Sequence, residues 1–222
     1  MIKAVFFDMN ETLLNLSLLK ESFDKNFHDD FALKYWFTKL LHTSTVLGSM
    51  NEYKNFGELS EVVLENVFYE SGKELTEETK AEILGSFRKL PAYDDVFEAL
   101  KILRKNNIKV VVVSNSSLGM IKEQLINANI FDLVDTYYSV DSVKKYKPFS
   151  DIYSYVANEE KLPCDNIAMV ASHDWDLFRA KKVGFTTAYI KRKKEIYNPY
   201  YAQPDICNTN LIDLVKEIVK IK

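Results

Sequence analysis

Hydrophobic positions along the chain form five short runs of β-branched and aromatic residues, each of strand length. They lie at residues 2–7, 109–113, 136–140, 167–171 and 186–190. From the second run onward, stretches of helical length and periodicity separate or follow them. Near-continuous apolar runs, as at 110–113, are typical of strands buried on both faces of a parallel sheet. The alternation therefore predicts a doubly wound α/β sheet with right-handed crossovers.

The interval 16–90 differs, because it carries amphipathic helical patterns and no convincing strand. The predicted helices lie at 20–27, 31–47, 56–70 and 77–89. Thr76 precedes two acidic residues, a pattern typical of a helix that begins with a threonine cap. The α/β pattern returns after Pro91. We therefore predict an α/β core formed by residues 1–15 and 91–222, with a helical cap at 16–90 inserted after the first strand.

Composition indicates an ordinary soluble globular protein. The 222 residues carry a formal charge of −3, with 47% hydrophobic and 27% charged residues, and a chain of this size folds without metal or disulfides. Nucleic acid is disfavoured as a partner, because phosphate binding requires clustered Lys and Arg. We interpret the dense basic run at 191–194 as a solvated loop. Cys164 and Cys207 lack the paired spacing of a zinc or redox motif, which fits a reducing compartment.

The N-terminal residues and the hydropathy of the chain indicate where in the cell the protein is expected. The N-terminal residues reach charge too soon for a signal peptide. No apolar run approaches the roughly 18 residues that span a bilayer. These features predict a cytoplasmic protein with no membrane partner. Apolar surface on the cap makes a homodimer an expectation, although the sequence defines no interface.

Polar residues follow the first two strands at the points where they end. Asp8 comes directly after an apolar strand, where a carboxylate is costly unless a ligand, a cation or a hydrogen bond stabilises it. The alternative is a strand-end aspartate that caps the next turn. Ser114 and Asn115 end the second strand and can donate hydrogen bonds to an anion near a helix N-terminus, or form an N-cap cluster.

Polar residues also follow the third and fourth strands. Lys147 comes after the third strand, and Pro148 fixes the backbone beside it. Ser172 and His173 come directly after the fourth strand. In doubly wound sheets the reactive groups lie beyond the carboxyl ends of the strands. Four strands that each place polar groups at one edge predict an active site there.

These motifs resemble the haloacid dehalogenase superfamily over essentially the whole chain. Its first motif, a strand followed by Asp and then Thr-Leu, matches residues 8–13, its second matches 114–115, and its third is the lysine at 147. The stretch 114–153, especially 139–148, and the Trp-Asp pair at 175–176 are similar to the L-2-haloacid dehalogenase branch. The resemblance implies a Rossmann-like core with a helical cap.

Two departures from the superfamily pattern bear on the reaction. Its phosphatases use a second acid two residues after the nucleophile and hold Mg²⁺ between carboxylates of the first and fourth motifs. Asn10 and Ser172 occupy these positions here, so a phosphate ester would lack its general acid and a metal ligand. A halide leaves unprotonated and needs neither. We predict cofactor-free and metal-free hydrolysis of a short 2-haloacid, with a Mg²⁺-dependent phosphatase or a non-catalytic anion-binding paralogue as alternatives.

The resemblance assigns two residues to the first chemical step. Asp8 would displace halide and form an ester with the substrate carbon, which inverts that carbon. Lys147 would hold Asp8 ionised and oriented; the alternative is a solvated lysine.

Two further departures concern the water that hydrolyses the ester. His173 stands where the branch commonly has Asn, and Glu11 where Gly is usual. We expect His173 to be the general base and Glu11 to orient it. The alternative is a rim histidine and an exposed turn residue.

Substrate binding is expected from both the cap and the core. The family places an arginine beside a cap tryptophan, and the match here is Trp36 and Phe37, so the guanidinium is missing. Together with Tyr35, these aromatic residues would form a small apolar pocket; the alternative is that they are cap core. Asn10, Ser114 and Asn115 would complete the site. The resemblance gives supporting positions to Thr12, Tyr153, Ser172 and Asp176.

Overall fold

The computed structural model describes residues 1–221, so Lys222, the last residue of the predicted core, lies outside the described residues. Within that range six parallel strands form one sheet. They are β1 (Ala4–Phe7), β2 (Lys109–Ser114), β3 (Thr136–Ser139), β4 (Ile167–Ala171), β5 (Thr186–Ile190) and β6 (Ile206–Asn208). Their order is β3-β2-β1-β4-β5-β6. The predicted doubly wound α/β fold is therefore confirmed.

Helices of the described chain lie either in the predicted cap or in the predicted core. The cap helices are α1 (Ser17–Phe27), α2 (Ala32–Ser49), α3 (Phe56–Glu70) and α4 (Glu77–Arg88). The core helices are α5 (Val96–Lys105), α6 (Leu118–Asn127), α7 (Ser150–Glu159), α8 (Asp174–Val183) and α9 (Leu211–Val219). Short 3₁₀ turns occur at Phe131–Leu133, Val140–Ser142 and Cys164–Asn166. Among residues 1–221, no helix combines the length and hydropathy that a membrane crossing requires.

Strand β1 is central, and the order in which strands are added to the sheet reverses between β1 and β4. Phe7 pairs with Val112 of β2 on one side and with Val170 of β4 on the other. All four residues of β1 are buried, as their apolar sequence predicts. Strands β2 and β3 extend the sheet one way, while β4 to β6 extend it the other way. Sheets of this kind bind ligands in the crevice beyond the carboxyl ends of the two strands at such a reversal, which here are β1 and β4.

The boundaries of several elements differ from the sequence predictions. The first strand begins at Ala4 instead of residue 2, and α1 begins at Ser17, earlier than predicted. Strand β6 was not predicted, because it is a three-residue edge strand with an exposed central cysteine and so lacks a buried apolar run. The start of α4 agrees with the prediction, since the Thr76 side chain accepts a hydrogen bond from the Thr79 N–H at 3.2 Å.

The cap joins the core through two adjacent chain segments beside the carboxyl end of β1. Asn15 donates its N–H to the Pro91 carbonyl at 2.8 Å, and Tyr93 donates to the Leu13 carbonyl at 3.0 Å. Tyr146 ties the core to the cap, because its hydroxyl donates to the Lys54 carbonyl at 2.7 Å. The loop after Asp8 therefore lies directly beneath the cap.

Candidate active site

Asp8 lies at the end of β1 with both carboxylate oxygens hydrogen-bonded. Oδ1 accepts from Lys147 Nζ at 2.7 Å. Oδ2 accepts from Thr12 Oγ1 at 2.8 Å and lies 3.0 Å from His173 Nδ1. Burial by itself raises the pKa of Asp8, but Lys147 and His173 together hold it well below its ordinary value. The carboxylate is therefore ionised, and Oδ1 accepts fewer hydrogen bonds than Oδ2.

Lys147 is a buried cation whose three protons all have acceptors. Its Nζ donates to Asp8 Oδ1 and Asp176 Oδ2 at 2.7 Å each, and to the Val113 carbonyl at 3.0 Å. Burial lowers the pKa of Lys147, but the two carboxylates raise it above its ordinary value overall. Tyr153 donates its hydroxyl to the other oxygen of Asp176. Lys147 is thus a fixed positive charge rather than the solvated lysine of the alternative interpretation.

His173 bridges two carboxylates. Its Nδ1 lies 3.0 Å from Asp8 Oδ2, and its Nε2 lies 3.0 Å from Glu11 Oε2. Burial lowers the pKa of His173, but the two carboxylates outweigh this effect and raise it to about 9. The ring packs between Phe37 and Trp175, with centroid distances of 6.2 and 5.1 Å. At neutral pH the resting site therefore holds an imidazolium, which donates one hydrogen bond to each carboxylate.

Glu11 occupies a backbone conformation that is unfavourable for its residue type. Its φ of 62° lies in the left-handed region, which costs a non-glycine residue roughly 1 kcal/mol or more. The side chain is buried, and its Oε2 contacts both His173 Nε2 and Lys193 Nζ. Burial raises the pKa of Glu11, but His173 and Lys193 lower it below its ordinary value. Glu11 is therefore not the exposed turn residue of the alternative interpretation.

Thr12 connects the loops that follow β1 and β4. Its Oγ1 accepts a hydrogen bond from the Ser172 N–H at 2.9 Å while it donates to Asp8 Oδ2. Ser172 therefore supports the site mainly through its backbone. The supporting positions taken from the resemblance all fall within the network around Asp8 and Lys147. They are Thr12, Tyr153, Ser172 and Asp176.

Two cavities adjoin His173, and one of them also adjoins Asp8. A small one of about 20 Å³ is lined by Asp8 itself, and a larger cleft of about 660 Å³ opens between the cap and the core. Side chains that line both are Phe37, Leu41, Lys147, His173 and Trp175. The aromatic and imidazole rings thus form the wall between the cleft and the space beside the carboxylate.

The predicted substrate-binding residues of the core line the small cavity. Asn10 donates its amide to Ser116 Oγ at 3.5 Å, and Ser114 Oγ accepts from the Ser116 N–H at 3.1 Å. Asn115 Oδ1 accepts the N–H of Lys147 at 2.8 Å, which fixes the lysine backbone. These three residues therefore line the cavity, and their hydrogen bonds fix the loops that surround it.

Trp36 corrects the sequence prediction, whereas Phe37 lies where it was expected. Trp36 is fully buried inside the cap, its Nε1 donates to the Ser60 carbonyl at 3.2 Å, and it lines neither cavity. Consecutive side chains of an α-helix point about 100° apart, so Trp36 turns into the cap when Phe37 faces the core. The alternative interpretation as cap core is the correct one for Trp36. Tyr35 is exposed and lines neither cavity, so the pocket prediction is wrong for it as well.

The basic run after β5 also corrects the sequence interpretation. Arg192 forms two hydrogen bonds of 2.8 Å with the carboxylate of Asp95, and its guanidinium lies 4.1 Å from the centre of the Tyr93 ring. Lys193 contacts Glu11. The prediction of a solvated loop is therefore wrong for Arg192, whereas Lys193 remains exposed as predicted but also contacts Glu11. The sequence feature that could have predicted this location is the position of the run directly after a strand, at the same edge of the sheet as Asp8.

The carboxylates of the site do not suit a divalent cation. Asp8 and Asp176 both bind the Lys147 ammonium, and Ser172 replaces the acid that a metal site would require. A metal would have to displace this buried cation. Within residues 1–221, no group of three or more histidine, cysteine or acidic side chains is arranged to hold a metal ion. The donor set therefore does not fit magnesium.

The chain is similar to known proteins in family pattern, sequence and structure. The model of a haloacid dehalogenase-like hydrolase family matches residues 2–184. The (S)-2-haloacid dehalogenase of Pseudomonas fluorescens is 26% identical over 220 residues, which cover 98% of this chain and 97% of that protein. The corresponding protein of Pseudomonas sp. strain YL is 27% identical over 219 residues, with 97% and 94% coverage.

Solved structures show the same fold over the whole length of the chain. The L-2-haloacid dehalogenase from Xanthobacter autotrophicus, determined with chloropropionic acid covalently bound, superposes with a TM-score of 0.92 at 23% identity. The superposition covers 100% of both chains. A dehalogenase determined with an intermediate complex gives a TM-score of 0.93 at 25% identity, covering 99% of this chain and 98% of the other.

Proposed function

The chain belongs to the haloacid dehalogenase-like hydrolase family, and from this premise we propose that it hydrolyses the carbon–halogen bond of a short 2-haloacid through an ester of Asp8. The observation that carries the proposal is the Asp8 carboxylate, which is ionised beside a cavity and paired with a fixed ammonium group. Asn10 stands where a phosphatase would need its acid. The relatives that match almost the full chain are named as (S)-2-haloacid dehalogenases.

The first step is a displacement at the carbon that bears the halogen. Asp8 Oδ1 attacks that carbon, because Oδ2 already accepts from Thr12 and His173. The carbon–halogen bond breaks and its electron pair leaves with the halide, so no proton is transferred. Lys147 keeps the carboxylate ionised and aimed. The product of this step is an ester in which the Asp8 carboxyl group is uncharged and the substrate carbon has inverted configuration.

The second step is hydrolysis of the ester by water. Esterification removes the charge of Asp8, so the pKa of His173 falls from about 9 towards its ordinary value near 6.5, and Nδ1 releases its proton to solvent. Nε2 keeps its proton and donates it in a hydrogen bond to Glu11, which fixes the ring. Nδ1 then takes a proton from the water that attacks Cγ of Asp8.

Collapse of the tetrahedral intermediate completes the cycle. The bond between Cγ and the substrate oxygen breaks, and the departing alkoxide takes the proton from Nδ1. The carboxylic acid left on Asp8 returns its proton to His173, which restores the resting ion pair. The sum of both steps is haloacid plus water to hydroxy acid plus halide and a proton, so atoms and charges balance.

The space beside Asp8 is about 20 Å³, little more than one water needs, so even a short haloacid requires the wall formed by Phe37, His173 and Trp175 to move. Hydrogen-bond donors at Ser114 and Asn115 lie on the core side of this space, and we assign them to the substrate carboxylate. The carbon and the halogen of the substrate would then contact two aromatic rings. Phe37 contributes one ring from the cap, and Trp175 contributes the other from the segment that follows β4. With Phe37 in place of the family arginine, the departing halide is received by apolar rings and polar donors instead of a guanidinium group.

The cellular setting of this reaction remains a prediction. Cys164 and Cys207 are free, which fits a reducing compartment such as the cytoplasm, where we expect the enzyme to act. A homodimer is the expected assembly, and size-exclusion chromatography with light scattering tests it.

Halide release is expected to be insensitive to a metal chelator. The purified protein is incubated with (S)-2-chloropropionate or bromoacetate, and separately with a generic phosphate ester, each with Mg²⁺ or with EDTA. We expect halide release at equal rates in both conditions, and (R)-lactate as the product from (S)-2-chloropropionate.

Three other outcomes of this experiment would contradict the proposal or its single displacement step. Phosphate release that requires Mg²⁺ would identify a phosphatase. Release of neither halide nor phosphate would favour a non-catalytic protein that binds anions. A lactate product of retained configuration would contradict the single displacement at carbon.

A further inference from the structure

Lys193 is a basic residue that the two chemical steps do not use directly, yet its side chain enters the site. We propose that Lys193 acts through Glu11 as a positioning residue that makes His173 available as a base in the second step. The inference rests on the proposed function, because it concerns hydrolysis of the Asp8 ester. Lys193 touches neither Asp8 nor the substrate space beside it.

The contacts of Glu11 carry the inference. Lys193 Nζ and His173 Nε2 both contact the same carboxylate oxygen, Oε2. The side chains of Glu11 and His173 are each 10% exposed, whereas that of Lys193 is 39% exposed. One buried negative charge is therefore shared between two cations, one of which must lose its proton during the reaction.

The loop that carries Lys193 is anchored next to the site. The neighbouring residue, Arg192, forms a nearly buried ion pair with Asp95 and donates from Nε to the Thr12 carbonyl at 3.2 Å. The same Asp95 carboxylate also accepts the N–H of Leu211 at 2.8 Å, at the start of α9. Arg192 thus ties the end of β5 to the loop that contains Glu11, which fixes where the next side chain can reach.

Charged groups around the Glu11–His173 pair come from several elements. Asp8 faces His173 directly, Lys147 lies behind Asp8, and the Tyr93 hydroxyl lies near Glu11. The cleft on the other side carries the cap residues Lys20, Asp30, Lys34 and His42. From the core it carries Asp174, Lys194 and Glu195. Among all these groups, Lys193 is the cation that contacts Glu11 alongside His173.

The sign of the effect follows from this sharing. Once Asp8 is esterified, Glu11 is the carboxylate that still contacts His173 and favours the imidazolium. Lys193 competes for the same oxygen, and its positive charge opposes a second positive charge nearby. Lys193 therefore lowers the pKa of His173 in the ester state and increases the fraction of free base at neutral pH.

The test compares the pH dependence of ester hydrolysis in three variants. Wild-type protein and the variants are mixed with 2-chloropropionate in a single turnover, quenched at intervals, and the ester is followed by intact mass. For Lys193→Met we expect the pH of half-maximal hydrolysis to rise by about 0.5–1 unit, a partly screened charge effect. For Glu11→Gln we expect it to fall, because an anion is lost. Lys193→Arg should restore the wild-type value.

Lys191→Met is the matched control. Lys191 belongs to the same basic run and is exposed, and its substitution removes one positive charge without touching Glu11. We expect its pH profile and its rate of ester formation to equal those of the wild type. Ester formation should also stay unchanged in Lys193→Met, because Lys147 and Thr12 hold Asp8 in that step.

The outcomes separate this inference from the proposed function. The first outcome is a wild type that forms the ester normally while Lys193→Met shows an unshifted pH profile, whatever its absolute rate of hydrolysis. This outcome overturns the role of Lys193 and leaves the proposed function standing. If Lys191→Met shifts as much as Lys193→Met, the effect is one of net charge, which also overturns that role. A wild type that forms no ester at all overturns the proposed function, and the inference with it.

Discussion

Replacement of His173 by alanine is expected to stop the reaction after its first step, with one halide released per active site and an ester left on Asp8. The first step survives because Lys147 and Thr12 still bind the Asp8 carboxylate, and the ammonium alone favours its ionised form. The second step loses its base, and removal of a general base typically slows a reaction about 10²–10⁴-fold. The ester therefore accumulates.

Rapid mixing with 2-chloropropionate followed by mass spectrometry of the intact protein measures this result. The mass should increase by that of the substrate minus hydrogen chloride, and peptide analysis should locate the added group on Asp8. His28→Asn is the control, because His28 is an exposed cap residue in a left-handed conformation that asparagine tolerates. This control should turn over like the wild type.

Other behaviour of the His173→Ala variant would change the assignment. Normal turnover without an adduct would mean that another group activates the water. Absence of the halide burst would mean that His173 is needed in the first step, for example to hold Asp8 in place. Each result is visible in the same pair of measurements, halide released and mass gained.

Replacement of Asp8 by asparagine is expected to abolish halide release. The amide oxygen keeps the shape of the side chain and can still accept from Lys147, but it is a far weaker nucleophile than a carboxylate. Loss of a covalent nucleophile commonly costs about 10⁴-fold or more in turnover. We expect no burst of halide and no increase in protein mass.

Activity of the Asp8→Asn variant is measured beside that of Asp151→Asn, which makes the same chemical change at an exposed position of α7. Circular dichroism and thermal unfolding establish that both variants fold. Halide release retained by Asp8→Asn near the wild-type rate would place the nucleophile elsewhere and would leave a directly activated water as the alternative.

The sheet and its reactive edge could be predicted because burial leaves a clear pattern. Strands such as β2 and β4 are buried on both faces, so they appear as uninterrupted apolar runs with polar residues where they end. Parallel order then brings Asp8, Lys147 and His173 together, although they lie far apart along the chain. The pairing of His173 with Glu11 was also expected, from two unusual residues on adjacent loops.

Contacts made by irregular segments could not be predicted in the same way. The run at 191–194 has no periodicity, so its charge alone suggested solvent, and only the folded chain brings Lys193 to Glu11. Trp36 and Phe37 are adjacent aromatic residues on one helix, and which of them faces the core depends on how the helix is rotated in the assembled cap. Both cases are decided by packing rather than by local pattern.

A single turnover in H₂¹⁸O, with enzyme in excess over 2-chloropropionate, follows the oxygen atom that leaves with the product. If Asp8 attacks carbon and water attacks the ester at Cγ, the first lactate formed carries unlabelled oxygen from Asp8, and the peptide containing Asp8 gains ¹⁸O. Labelled lactate in that first turnover, with an unlabelled Asp8 peptide, would show that water attacks the substrate directly and would contradict the covalent mechanism.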